Sequence, residues 1–514
     1  MTPTACQKRA VLCLAAVLAL TTPFLASAEV RVHGLFTDHM VLQRNISVPV
    51  WGWADDGESV TVTFGKQHVK AKAKNGRWMV ELSKLSANAT AEKLIIQGAK
   101  NRIEISDVLV GEVWIASGQS NMEWPMSASF EAETEIAKAT DPLLRLYTVP
   151  KLRALTPVDN VPAQWQPCSP KEVRNFSAVG YYFGRDIQRA LNVPVGIIHT
   201  SWGGSPAEVW MSQHVLESNP RYKSEILDPY PASAKQYQDA VAQLDKERAE
   251  AKASGKAFTK NNPWAPWRPT ELYNGMIAPL IPFAIQGAIW YQGESNAGRA
   301  EQYRSLFPDM IQNWRKDWGQ GEFPFMLVQL APFQAIKLEP SESNWAELRE
   351  AQFLSTQRLP KVGMGVITDV GDEKDIHPKK KEPVGARLAL AARRIAYHHK
   401  IEHSGPQYQS LAIEGNRATL QFTHTSGGLH AAKGEALKGF AIAGADHKFV
   451  WADAEIRNNT VVVSSAKVEH PVAVRFGWSD FPVVNLWNGE GLPAIPFRTD
   501  DFPMITAPKT SDKK

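Results

Sequence analysis

Apolar and polar positions alternate with a period of two over residues 46–54, 59–64, 68–73, 77–82, 93–97 and 102–105. Most of these runs are bounded by Gly, Asn or Asp, so the spacing predicts a small all-β unit over residues 29–108. From Val110 the pattern changes. An apolar run, Val113 to Ala116, stops abruptly at Gly118-Gln119-Ser120-Asn121, which reads as a strand delivering a serine into a turn. Ser177 can cap a helix whose face carries Val179, Phe183, Ile187 and Leu191, and the apolar stretch 195–200 then runs into Ser201-Trp202-Gly203-Gly204-Ser205. Residues 285–291 form another apolar run, ending in Gln292-Gly293-Glu294-Ser295-Asn296. An amphipathic helix follows, with Tyr303, Leu306, Phe307, Met310, Ile311 and Trp314 on one face.

Two further strands are expected at 323–330 and 363–368, with a helix at 344–358 between them. The second opens into the acidic loop Asp372 to His377, and Pro383 starts a last helix. Strand and helix in alternation imply α/β architecture, a parallel sheet with helices on both faces. Residues 212–270 interrupt the rhythm with a charged helix at 237–253 and a Pro/Trp-rich loop, and read as an insertion. Residues 405–505 are β-rich again. The organisation expected is therefore a leader at 1–28, an N-terminal β domain at 29–108, an α/β domain at 109–404, a C-terminal β domain at 405–505 and a polar tail at 506–514.

The leader changes the picture of where the chain works. Lys8 and Arg9, an apolar stretch too short to span a bilayer, and Ala26-Ser27-Ala28 have the layout of a secretory signal peptide, implying an exported protein, periplasmic or secreted, with no membrane anchor. The formal charge of +4 falls further once that segment leaves, which gives no reason to expect nucleic acid as a partner. Cys168 is then the one cysteine left, so neither a disulfide within the chain nor a cysteine-based metal site can form.

Four predicted strand ends carry small or polar groups, and in a parallel sheet such loops converge at one edge. A serine hydroxyl needs a base to take its proton, and His377 is the candidate base for Ser120. The ring of His377 needs a partner for its other nitrogen: Asp375, two residues before it, comes first, Asp372 second, and the backbone carbonyl of residue 375 is a third arrangement. The oxyanion of an acyl-transfer intermediate needs convergent donors, for which the amides of Ser120 and of Gly203 or Gly204, with the side chain of Gln292 or Asn296, are candidates. Gln119 and Glu294 read as residues that hold the loops, and His199 as packing at a strand end. The acidic run before His377 does not match a known calcium loop, and no metal site is expected.

The stretches GEVWIASGQSNMEW, SWGGSPAE, ELYNGMIAPL with GAIWYQGESNA, and DIHPKKKEPVGARLA resemble the sialate O-acetylesterase family within the SGNH hydrolase superfamily. LFTDHMVLQR near the start and LKGFAIAGAD near the end extend the resemblance over almost the whole chain, most weakly across 212–270. It implies a three-layer α/β/α domain flanked by β-sandwich-like domains, and a serine esterase that removes O-acetyl groups from sugars without metal or cofactor. By motif position it makes Ser120 the nucleophile and His377 the base, and puts Gly203 or Gly204 and Gln292 or Asn296 among the oxyanion donors. The superfamily's acid commonly lies three residues before the histidine, where this chain has Lys374.

Acetylated sialic acid is the substrate the resemblance favours. Acetylated plant polysaccharide such as xylan or xyloglucan is the alternative, which Trp202, Trp264 and Trp267 would suit by stacking on sugar faces. Arg268 is a candidate for a sugar carboxylate. A carbohydrate-binding protein without activity would need neither Ser120 nor His377, and a glycosidase built on Glu294 and Asp375 would leave both idle.

Overall fold

The structure is a computed structural model that describes residues 29–508. The leader expected at 1–28, and residues 509–514 of the tail, lie outside the described residues. No helix among the described residues is long and apolar enough to cross a membrane.

The centre of the molecule is a parallel sheet. Its strands are β1 (Arg102–Gly118), β2 (Asp141–Thr148), β3 (Val195–Ser201), β4 (Gly287–Tyr291), β5 (Phe325–Val328) and β6 (Val362–Gly365), in the order β2-β3-β1-β4-β5-β6. All neighbours in that order run parallel, and a short antiparallel strand, Gln166–Cys168, closes the β2 edge. Alternate strand residues serve opposite faces, because the pleat has a period of two. Trp114, Ala116, Ile289 and Val328 pack under the helices Ala178–Leu191 and Glu382–Ile395, whereas Val113, Ile115, Trp290 and Leu327 pack under Ala300–Trp318 and Asn344–Arg358. Both faces are covered, so β3 and β4 are buried along their whole length.

The helix after Ser177 begins as its sequence predicts, with the Ser177 hydroxyl accepting from the Gly180 amide at 3.0 Å. The charged helix of the insertion is longer than expected, Tyr230–Ala253, and buries little besides Leu244. Its sequence has no sustained apolar stripe, which is why its start was not legible.

The main departure concerns β1. The sequence reads as two strands separated at a domain boundary, but the chain runs unbroken for 17 residues. Its first half pairs antiparallel with Asn88–Gln97 and parallel with Val41–Gln43, and its second half is the central strand of the parallel sheet. Gln43 joins the two halves: its Oε1 accepts from the Val113 amide at 2.7 Å and its Nε2 donates to Glu112 at 2.9 Å. Arg44 pairs with the other oxygen of that buried carboxylate. The C-terminal region holds two four-stranded antiparallel sheets and one two-stranded sheet around a separate apolar cluster that includes Leu420, Ile442, Val461 and Phe476.

Candidate active site

At the end of β1 the backbone turns at Gly118, where φ is 136° and an added Cβ would fall 2.2 Å from the Tyr291 carbonyl oxygen. No other residue fits so close to β4 in that conformation. The turn leads directly into a one-turn helix, Ser120–Glu123, so the Ser120 amide has no acceptor within that helix.

The loop after β6 brings His377 to the serine, with Nε2 2.9 Å from Ser120 Oγ. On the far side of the ring, Nδ1 lies 3.4 Å from Asp375 Oδ1, an oxygen that also accepts the His377 amide at 2.9 Å. Asp372 does not reach the ring. Its carboxylate accepts from the amides of Lys374 and Asp375 at 2.8 and 3.2 Å and so builds the turn that presents Asp375. Trp124 stacks on the imidazole at 5.0 Å between centroids. Burial, and then the charge of Lys381, hold the His377 pKa below its ordinary value against the opposing pull of Asp375, which keeps the ring neutral and able to accept a proton at neutral pH.

Beneath the pair is a buried polar chain. Asn121 donates to Glu294 at 2.6 Å and to the Ile376 carbonyl at 3.0 Å, and accepts from Lys381 at 2.5 Å. The Ile376 contact ties the residue before the histidine to the residue after the serine. Burial pushes Lys381 down to about 7 and raises Glu294 above the ordinary carboxylate range. Gln119 holds the neighbouring loop, accepting from the amides of Gly293 and Ser295 at 3.4 and 3.3 Å.

The oxyanion candidates divide. Gly203 stands beside Ser120, with its ideal Cβ position 3.3 Å from the serine Cβ. Its amide, however, donates to Glu123 Oε2 at 2.6 Å, and the other oxygen of Glu123 accepts from Lys151. Gly204 turns at φ 75°, and its carbonyl accepts from Ser295. Gln292 and Asn296 engage other partners with their side-chain amides. Gln292 Nε2 donates to Asn296 Oδ1 at 2.6 Å and to the Ser205 carbonyl, while Asn296 Nδ2 donates to Glu208 at 3.0 Å, and both residues are fully buried. They brace the loops after β3 and β4 against each other.

Ser120 and His377 open into a cleft of ≈ 740 Å³ lined also by Glu123, Lys151, Trp202 and Trp264. Trp264 is 97 % exposed, whereas Trp267 stands edge-on to Trp202 at 5.6 Å, with the Arg153 guanidinium 4.1 Å above its ring. Arg268 is turned to Tyr230, away from the cleft lining. His199 reaches the same cleft, but its Nε2 is 2.6 Å from Ser201 Oγ, and burial lowers its pKa to about 4.

Residues 251–393 match the carbohydrate esterase, sialic acid-specific acetylesterase family. Over nearly its full length the chain is similar to a solved carbohydrate acetylesterase from Xanthomonas citri, with 37% identity, a TM-score of 0.80, and coverage of 92% of this chain and 100% of that one. The chain belongs to the sialate O-acetylesterase family of carbohydrate esterases. Sialate O-acetylesterase of Rattus norvegicus is 29% identical over 88% of this chain and 90% of its own length, and that of Homo sapiens is 27% identical over 94% and 96%. This esterase is thus a carboxylic ester hydrolase that removes O-acetyl groups from carbohydrate.

Asn121, Glu123, Lys151 and Lys381 are site residues that the sequence reading missed. Asn121 had a signal, since it adjoins the serine in a polar turn. Lys381 had none: it ends a run of three lysines, a pattern that normally stays in solvent.

Proposed function

We propose that Ser120 is the nucleophile of an SGNH-type serine esterase, that His377 is its general base and acid, and that Asp375 supports the ring. The observation that carries this reading is the 2.9 Å contact between His377 Nε2 and Ser120 Oγ at the mouth of the cleft. Ser120 Oγ attacks the acetyl carbonyl carbon while His377 Nε2 takes the hydroxyl proton. The oxyanion is met by the amides of Ser120 and Gly203, the second after Glu123 has moved aside. The imidazolium then protonates the departing sugar oxygen, leaving acetyl-Ser120. Water, deprotonated by the same nitrogen, attacks the acyl carbon, and the imidazolium returns that proton to Ser120 Oγ as its bond to the acyl carbon breaks and acetate leaves.

O-acetylated sialic acid is the substrate we favour. Lys151, which lines the cleft and lies against Trp202 at 5.3 Å, supplies positive charge for a sugar carboxylate. Acetylated xylan or xyloglucan is the second reading, supported by the open cleft and the fully exposed Trp264. The flanking regions act as β-sandwich-like domains in this reading, and the protein is exported. Acetate release from acetylated sialic acid, xylan and xyloglucan, by wild type and Ser120→Ala, tests both levels. Retained release by the variant sinks the serine mechanism, and the panel ranks the substrates.

A further inference from the structure

The structure assigns a second chemical site, outside the serine's cleft: we propose that Glu402, His403 and His424 bind a divalent ion of the zinc class. One donor atom from each residue lies within 4.8 Å of the other two. Glu402 Oε1 is 2.8 Å from His424 Nδ1 and 3.7 Å from His403 Nδ1. Ligand bonds of about 2.0–2.1 Å in a tetrahedral zinc site place donor atoms roughly 3.4 Å apart, a value these two separations bracket. His403 is the informative member. A Glu402–His424 hydrogen bond explains that pair, but 3.7 Å is too long for a hydrogen bond from the His403 ring to the same oxygen, which accepts instead from the amides of His403 and Ser404 at 2.9 and 3.3 Å.

The ligands are held in place by groups around them. Ser426 Oγ donates to Glu402 Oε2 at 3.0 Å, and with the two amides on Oε1 it fixes the carboxylate beside the two rings. Asn488 Nδ2 donates at 3.0 Å to the carbonyls of both Ser404 and His424, clamping the two ligand loops to one another. His424 sits at φ 57°, a conformation uncommon outside glycine, and the two imidazoles meet nearly edge to face, 5.3 Å apart. A cavity of ≈ 180 Å³ lined by His403, Ser404 and His424 adjoins the cluster, with room for the ion to enter and for water at a fourth position.

Two imidazole nitrogens and one carboxylate oxygen suit zinc, cobalt or nickel and fit calcium or magnesium poorly. Glu402 and His403 follow the last helix of the parallel-sheet unit, and His424 follows the strand Arg417–Thr423 of the C-terminal region. A bound ion would therefore fasten these two parts together, with no part in ester cleavage.

The test uses full-length protein without a histidine tag, stripped with chelator and titrated with Zn²⁺ and Co²⁺ by calorimetry and visible absorption. One ion per chain is expected, with cobalt d–d bands and a Tm raised by several degrees. His403→Ala and His424→Asn, the latter because asparagine tolerates positive φ, should each weaken binding by about a hundredfold or more. Turnover of p-nitrophenyl acetate should stay at the wild-type level in both, showing that they fold. Folded wild type that takes up neither ion stoichiometrically, or unchanged binding in the double variant, overturns the assignment.

Discussion

Asp375→Asn measures how much of the His377 imidazolium is stabilised by a carboxylate that is only partly shielded from water. The Nδ1 to Oδ1 separation is 3.4 Å, and the Asp375 side chain is 42% exposed. At that distance the attraction between unit charges is about 5 kcal/mol for an effective dielectric of 20 and about 1 kcal/mol in bulk water. Solvent access places this pair toward the lower figure, at roughly 1.5–2.5 kcal/mol. At about 1.4 kcal/mol per decade, kcat/KM should fall by about 10- to 100-fold, less than when a fully buried triad acid is lost. The pH profile supplies a second readout. Asp375 raises the His377 pKa, so its removal should move the acid limb of kcat/KM to lower pH, because the base then stays neutral further into acid. Steady-state kinetics on p-nitrophenyl acetate between pH 4 and 9 gives both. A loss below about threefold, with an unmoved limb, would show that Asp375 does not act on the ring, and a loss near 10⁴ would refute the solvent-screened estimate.

Lys381→Met should move the acid limb the other way, to higher pH, since the lysine's charge lowers the His377 pKa and its loss lets the base protonate sooner as pH falls. The same pH series checks it. Glu123→Ala frees the Gly203 amide and should raise kcat/KM for p-nitrophenyl acetate by about three- to tenfold; an unchanged or lower value would show that this amide does not serve the oxyanion. Gly118→Ala forces a Cβ onto the Tyr291 carbonyl at positive φ and should cost more than about 3 kcal/mol, read as a large drop in Tm or as loss of soluble protein.

The meeting of Ser120, Asp375 and His377 was legible because each lies in the loop after a predictable strand, and a parallel sheet gathers those loops at one edge. What escaped was set by packing between distant segments. Gln292 and Asn296 have the right chemistry for an oxyanion donor, but they spend it on each other, on Ser205 and on Glu208, contacts 87 and 88 residues apart in sequence for the last two. The Glu123 contact with Gly203 spans 80 residues, and Lys381 reaches Asn121 across 260. Local periodicity carries no record of such pairings. The length of β1 was hidden for a related reason: its residues change partners midway, so the alternation characteristic of an antiparallel edge gives way to the continuous apolar run of a buried parallel strand, and one element looks like two.

That undivided strand makes the N-terminal region something other than an accessory. An enzyme trimmed to begin near residue 109 would lose the start of β1 that pairs with Asn88–Gln97, the strand Val41–Gln43 that flanks Leu109–Gly111, and with Gln43 the hydrogen bond to Val113. The charge of Glu112 would lose Arg44 as well, four residues before the sheet reaches Ala116. The β-rich start and the parallel-sheet core therefore share one structural member. A cut at the N-terminal boundary would pass through the strand at whose end Ser120 stands, whereas a change in the insertion around Trp264 would leave that strand whole.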